Sequence, residues 1–293
     1  SSDVCSSDLF CSGKERPRAV LPEAAQRRAD IEIKRVHIAY FSPTGTTKRT
    51  LRAVAEGFGC SELSETDWGD PKSRAAILKT GPDELLIAGM PVYYGRIPSL
   101  FHEGLPLRGE GTPFVPVAVY GNRHYDDAVL ELKTLGEAAG CVTLGAAAFV
   151  AQHCLNPDMG RGRPDASDLA VMKRFGSALR AKADGLAGSM PPLSVPGAVP
   201  YKEYKPTPFA PELLDAETCI RCGLCARTCP VRIIDSETYA VTEPERCLFC
   251  FGCVRICPVA VRGPRPEVAP MFAAQMAGLA ARCTERREPE LFL

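Results

Sequence analysis

Two runs of cysteine dominate the chemistry open to this sequence. CIRCGLCARTCPVRII (219–234) recurs as CLFCFGCVRICPVAVR (247–262), and eight cysteines fall between Cys219 and Cys257. Each run reads C-x2-C-x2-C-x3-C-P, a spacing suited to a pair of [4Fe–4S] cubanes. Three thiolates at that spacing wrap one face of a cubane, with peptide N–H groups turned toward its sulfides. The fourth is carried off by the turn and reaches the other cluster. The expected ligand sets are therefore crossed. Cys219, Cys222, Cys225 and Cys257 serve one cluster, and Cys247, Cys250, Cys253 and Cys229 the other. Pro230 and Pro258 fix the chain direction after each crossing ligand. Ile220, Leu224, Leu248, Phe249, Phe251 and Ile256 supply an apolar shell that limits water and helps set potential. Structural zinc would favour two separated Cys-x2-Cys pairs with a longer spacer. That alternative makes the segment a zinc-binding interaction module.

A second polar motif lies far upstream. Ser42, Thr44, Thr46 and Thr47 surround Gly45 in the stretch SPTGTT, between an apolar strand-like run and a helical one. A helix N-terminus there offers free N–H groups and a dipole that attracts phosphate, while Gly45 lets the backbone turn where a Cβ would clash. Neither a Walker A loop nor G-x-G-x-x-G is present. Ordinary capping by Ser and Thr is the alternative.

The elements that must position these motifs follow from periodicity. VHIAYFS (36–42), ELLIAGMPV (84–92), PFVPVAVYG (113–121) and CVTLGAAAFVA (141–151) are short, nearly continuous apolar runs, as in strands covered on both faces. Leu51, Val54, Ala55 and Phe58 recur at helical spacing, and Asp126–Ala139 and Asp165–Leu186 read as further helices. Alternating strands and helices predict an α/β, doubly wound parallel sheet whose ligands bind at the carboxyl ends of the strands. Seven prolines between Gly188 and Pro211 predict an extended connector. The expected organisation is a sheet domain at 34–187, a connector at 188–212, the cysteine domain at 213–264, and a tail with a short helix at 265–293.

Composition narrows the function classes. The chain has 293 residues, 45% hydrophobic, with 35 basic and 35 acidic side chains. That gives room for two domains and a core, and no global field to recruit nucleic acid or an anionic membrane. No apolar run of about 18 residues occurs, so no membrane insertion is expected. Ser1–Asp30 is too polar for a secretory signal, and Ser1–Leu9 reads like translated sequencing adaptor. Residues 1–33 are expected to be non-native or disordered. Fourteen cysteines without an export signal imply cytoplasmic metal or redox chemistry rather than disulfides.

The loop at 42–47 resembles the phosphate loop of flavodoxins, and the likeness extends over about 34–186. It implies FMN, with two further loops contributing Pro91, Tyr93, Tyr94 and Gly95, then Tyr120, Gly121, Asn122 and Tyr125. Tyrosine offers a flat apolar face to a flavin ring. Arg123 and His124 stand where flavodoxins often carry acidic residues, which would favour reduced, anionic flavin. His153, after the last strand, could touch flavin or substrate. The segment at about 213–264 resembles a bacterial-type dicluster ferredoxin of α+β fold. The whole order resembles the flavodoxin–ferredoxin fusion family, which implies electron transfer with a redox protein partner. An iron–sulfur flavoprotein oxidoreductase acting on a small molecule is the enzymatic alternative.

Overall fold

The computed structural model describes residues 33–186, 190–206 and 209–293; the expectation for the N-terminus lies outside them except at Ile33. The first part of the chain runs β1 Arg35–Tyr40, α1 Thr46–Phe58, β2 Glu62–Asp67, α2 Pro71–Ala75, β3 Leu78–Thr80 and β4 Glu84–Pro91. It continues through β5 Leu107–Gly109, β6 Thr112–Tyr120, α3 Ala128–Ala138, β7 Cys141–Thr143, β8 Ala146–Val150 and α4 Ala166–Asp184. The cysteine segment and tail add β9 Glu212–Leu213, α5 Leu224–Thr228, α6 Gly252–Arg255, β10 Arg262–Gly263, α7 Ala269–Arg282 and β11 Glu290–Phe292.

The main sheet has the order β11-β8-β6-β4-β1-β2, with β7 also paired to β6. Its long strands β2, β1, β4, β6 and β8 are parallel. Counted along the chain they lie 2-1-3-4-5, the flavodoxin-like doubly wound order. Residues 84–90 of β4 and all of β6 are buried, which explains their unbroken apolar sequence. All four loops singled out from sequence emerge at one edge, after Tyr40, Pro91, Tyr120 and Val150.

One face of the sheet is covered by α1 and α4, over a core of Ile38, Leu51, Leu85, Val117, Phe149 and Phe175. The two helices touch backbone to backbone: a Cβ on Gly176 would stand 2.1 Å from the Val54 carbonyl oxygen. A capping box of Asp165 and Asp168 starts α4. On the other face, residues 92–106 supply only a single 3-10 turn, Ser99–Phe101, where a crossover helix would be expected. The core there runs on without a break into the cysteine segment, joining Trp68, Tyr93 and Phe101 to Ala226, Cys229, Ile233 and Leu248. The cysteine segment is thus packed into the sheet unit rather than tethered beside it.

Three elements differ from expectation. CVTLGAAAFVA divides into β7 and β8 at Leu144–Gly145, where Leu144 N–H bonds back to the Phe114 carbonyl at 2.8 Å. The polar ELSETD forms edge strand β2, whose exposed charges mask it as a strand while blunting the edge. The tail does carry a helix, but β11 then returns as an antiparallel strand on β8, with Leu291 opposite Ala147. Residues 190–206 form neither helix nor strand, yet they are fastened to the sheet loops. The Asp127 carboxylate accepts from Ala198 N–H at 2.9 Å and Lys202 N–H at 2.7 Å.

Candidate functional site

The cysteine segment folds as two similar halves. Leu213 pairs with Arg262 between β9 and β10, and Ile234 pairs with Val241 in the matching place of the other half. Positive φ recurs at matching positions too: Arg221 with Phe249 (53° and 55°), Gly223 with Phe251 (70° and 56°), and Arg232 with Ala260 (54° and 53°). Non-glycine residues adopt this conformation only where the surroundings demand it. Here it curls each Cys-x2-Cys loop around a space. Gly223 and Phe251 become the left-handed N-caps of α5 and α6.

Two cavities result. One is lined by Cys229, Cys247, Cys250 and Cys253, together with Pro230, Ile234 and Leu248. The other is lined by Cys219, Cys222, Cys225 and Cys257, together with Ile220, Leu224 and Arg262. Each cavity thus takes three cysteines from one run and the fourth from the other. Among the described residues no group of three His, Cys, Asp or Glu side chains converges as if on a single metal ion. Burial pushes the Cys250 thiol well above its usual range and Cys253 up to about 11, with the Arg262 charge and hydrogen bond opposing the latter. A hydrophobic donor set of this kind suits an extended cluster whose iron replaces the thiol protons.

Residues 212–258 match the family of 4Fe-4S dicluster domains. Together with the 2-1-3-4-5 sheet, this match fits a flavodoxin–ferredoxin fusion. No curated protein matches the chain. Among solved structures it is similar to a flavodoxin from the domain Archaea (15% identity, 51% of this chain and 98% of that one, TM-score 0.36). It is similar also to two-electron reduced flavodoxin from Megasphaera elsdenii (16% identity, 50% and 98%, TM-score 0.32). A mutant flavodoxin from Pseudomonas aeruginosa gives 12% identity over 52% and 99%, with TM-score 0.34.

The Cys229/Cys247/Cys250/Cys253 cavity is the inner one. Cys250 shares a core with the buried Tyr93 of the second sheet loop, and Cys247 and Cys154 pack against the same core. Arg74 donates to the Pro230 carbonyl at 2.7 Å, and Arg255 to the carbonyls of His153 and Cys154 at 3.0 and 3.2 Å. A Cβ on Gly252 would lie 3.2 Å from Pro43, in the hydroxyl loop itself. The second cavity points outward, with Cys222 exposed and Ile220 60% exposed.

The hydroxyl loop has the features a phosphate needs. Gly45 is the left-handed N-cap of α1 (φ 81°), with no side-chain cap and no acidic residue in the first turn. An added Cβ on Gly45 would meet nothing within 4 Å. Ser42 Oγ accepts from Lys48 N–H at 3.0 Å, and the hydroxyls of Thr44 and Thr46 lie 3.5 Å apart. Thr47 is buried, so its hydroxyl contributes from beneath the loop rather than from its rim.

The other two loops bring their tyrosines together but not bare. Tyr94 stacks edge-on against Tyr204 of the connector at 5.1 Å. Tyr120 and Tyr125 lie 5.6 Å apart, and Tyr125 donates to Glu290 of the tail at 2.5 Å. Asn122 Nδ2 donates to the carbonyls of Cys283 and Glu285, and its Oδ1 accepts from Arg287 N–H. Gly121 is overlain by His153, whose Cδ2 would be 2.4 Å from an added Cβ. His153 is neutral and structural here: burial, then Arg255 and Arg123, bring it down to about 4, and its Nδ1 accepts from Leu155 N–H at 3.2 Å. Arg123 is paired with Asp126, which also accepts from Lys202 Nζ at 2.8 Å. The hydroxyl loop is therefore open and polar, while the other two loops are lined by the chain's own connector and tail. Sequence reasoning missed Arg262 and the tail residues Arg287 and Glu290. The repeat itself sets Arg262 opposite Ile234, and that mismatch of charge against an alkyl chain is the signal for the first.

Proposed function

We propose that this chain is an electron carrier in which two [4Fe–4S] clusters, held by the crossed cysteine sets, pass electrons to and from an FMN seated by its phosphate on residues 42–47. The observation that carries the reading is the pair of cavities, each ringed by four cysteines drawn three from one run and one from the other. Thiols placed around cavities, rather than converging on a point, favour cubanes over the zinc alternative. When bound, a flavin adds two-electron capacity to centres that move single electrons. Ser42, Thr44, Thr46 and the α1 N-terminus would hold the phosphate, and Gly45 would give it close approach. The inner cysteines share a core with Tyr93, and Gly252 between Cys250 and Cys253 approaches Pro43, so the cluster there would be the one nearer the flavin. The outer cavity, beside exposed Ile220 and Cys222, is where a protein partner would exchange electrons.

The carrier reading is favoured over the small-molecule reductase because Tyr93 and Tyr125 are buried in protein contacts instead of lining an open pocket. Stopped-flow reduction of FMN-supplemented protein tests the proposal. Cluster bleaching should be followed by flavin reduction at a rate independent of protein concentration. A rate that scales with concentration, or a protein that retains no flavin after supplementation, would contradict it.

A further inference from the structure

The internal symmetry of the cysteine segment singles out one residue. Because the Leu213–Arg262 pair matches the Val241–Ile234 bridge, Arg262 stands where the other half has Ile234. Ile234 is 7% exposed and Arg262 only 4%. Ile234 lines the inner cavity, and Arg262 lines the outer one. A guanidinium thus fills a slot that the same fold fills elsewhere with an alkyl chain.

No carboxylate among the described residues pairs with this buried charge. Arg262 Nη1 donates to the Tyr239 carbonyl at 2.8 Å and Nη2 to the Pro211 carbonyl at 3.2 Å, while Nε is buried without a partner. Nη1 also approaches Cys225 Sγ at 3.8 Å, a member of the outer set. From the inner set, Cys253 and Cys247 feel its charge. A buried cation without a counter-ion is strongly unfavourable, and the surrounding sulfurs become anionic only as cluster ligands.

We propose that Arg262 is the counter-ion shared by the two clusters, stabilising their reduced states. This rests on the two-cluster reading above. Each one-electron reduction adds negative charge to a cluster. A fixed positive charge and N–H donors beside its sulfurs favour that form, and low local dielectric strengthens the effect.

Arg262→Ile copies the residue that the other half accepts, so the slot remains filled. The experiment is anaerobic reconstitution of the full chain, an iron count, and a mediated redox titration followed by electron paramagnetic resonance. The variant should hold eight irons, and both potentials should fall. Each reduction equilibrium should drop at least about tenfold, 59 mV for a one-electron couple. Arg262→Lys, which keeps the charge, should stay close to wild type. Unchanged potentials in an Arg262→Ile protein with eight irons would overturn the proposal, as would Arg262→Lys shifting as far as Arg262→Ile. If Arg262→Ile failed to load, Arg262→Lys would decide. Wild-type-like potentials would support the counter-ion, and loss of iron there too would overturn it. Four irons in the wild type would defeat the two-cluster reading separately.

Discussion

Asn122→Ala should release the C-terminal strand from the third sheet loop. The amide of Asn122, 5% exposed, satisfies three backbone groups of the tail: the carbonyls of Cys283 (3.1 Å) and Glu285 (2.9 Å), and Arg287 N–H (3.2 Å). Removing a partner costs about 1–3 kcal/mol where the backbone group is fully buried; here Cys283 is half-buried and Glu285 and Arg287 are exposed. Water entering the gap keeps each group near the lower end, so three groups give about 3 kcal/mol. Asn122 is also left-handed (φ 63°), a conformation alanine tolerates less well. A destabilisation of that size raises the local opening constant roughly hundredfold. The assay is native-state hydrogen exchange. Amides of β11 should exchange about a hundredfold faster, while those of buried β4 and β6 should hardly change. Unaltered exchange in β11 would refute the view that Asn122 latches the tail. An equal acceleration in β4 and β6 would refute its local character.

Three further outcomes follow from the site. Cys229→Ser should damage the cluster held mainly by Cys247, Cys250 and Cys253, and Cys257→Ser the opposite one; electron paramagnetic resonance of each reduced variant checks this, and damage confined to a variant's own run would show uncrossed ligation. Replacing Thr44 and Thr46 by alanine should weaken FMN about hundred- to ten-thousand-fold, at roughly 1.5–3 kcal/mol per bond to a charged group, measured by fluorescence titration, with riboflavin affected little. Between pH 6.5 and about 4 the unfolded chain protonates at His153 while the folded one does not. Stability should therefore rise with pH across that window, by on the order of 3 kcal/mol from this group; denaturant titrations of His153→Gln should show a flatter slope, and an unchanged slope would place the titration elsewhere.

Much of the architecture was legible because its signals are local. The apolar runs at β1, β4 and β6 are buried on both faces, and their loops fell where strand-end logic put them. The crossed grouping of cysteines was legible because C-x3-C-P forces the fourth thiol away from the first three. What sequence concealed was set by tertiary pairing. Edge strand β2 is polar along its length, and β11 is three residues that become a strand only against Ala146–Ala148. The partners of the tyrosines are hidden in the sequence, because nothing in Tyr94 or Tyr125 announces Tyr204 or Glu290, about 110 and 165 residues further on. The proline-rich connector was read as a spacer, yet Asp127 and Arg96 bind its backbone, and the cysteine segment shares a core with the sheet.

The most direct test of the account is the iron, acid-labile sulfide and zinc content of anaerobically purified and reconstituted protein, read together with its visible spectrum. Two cubanes require about eight irons and eight sulfides per chain, with broad absorption that bleaches on reduction. Two zinc ions with a colourless spectrum, or a ceiling of about four irons, would contradict it.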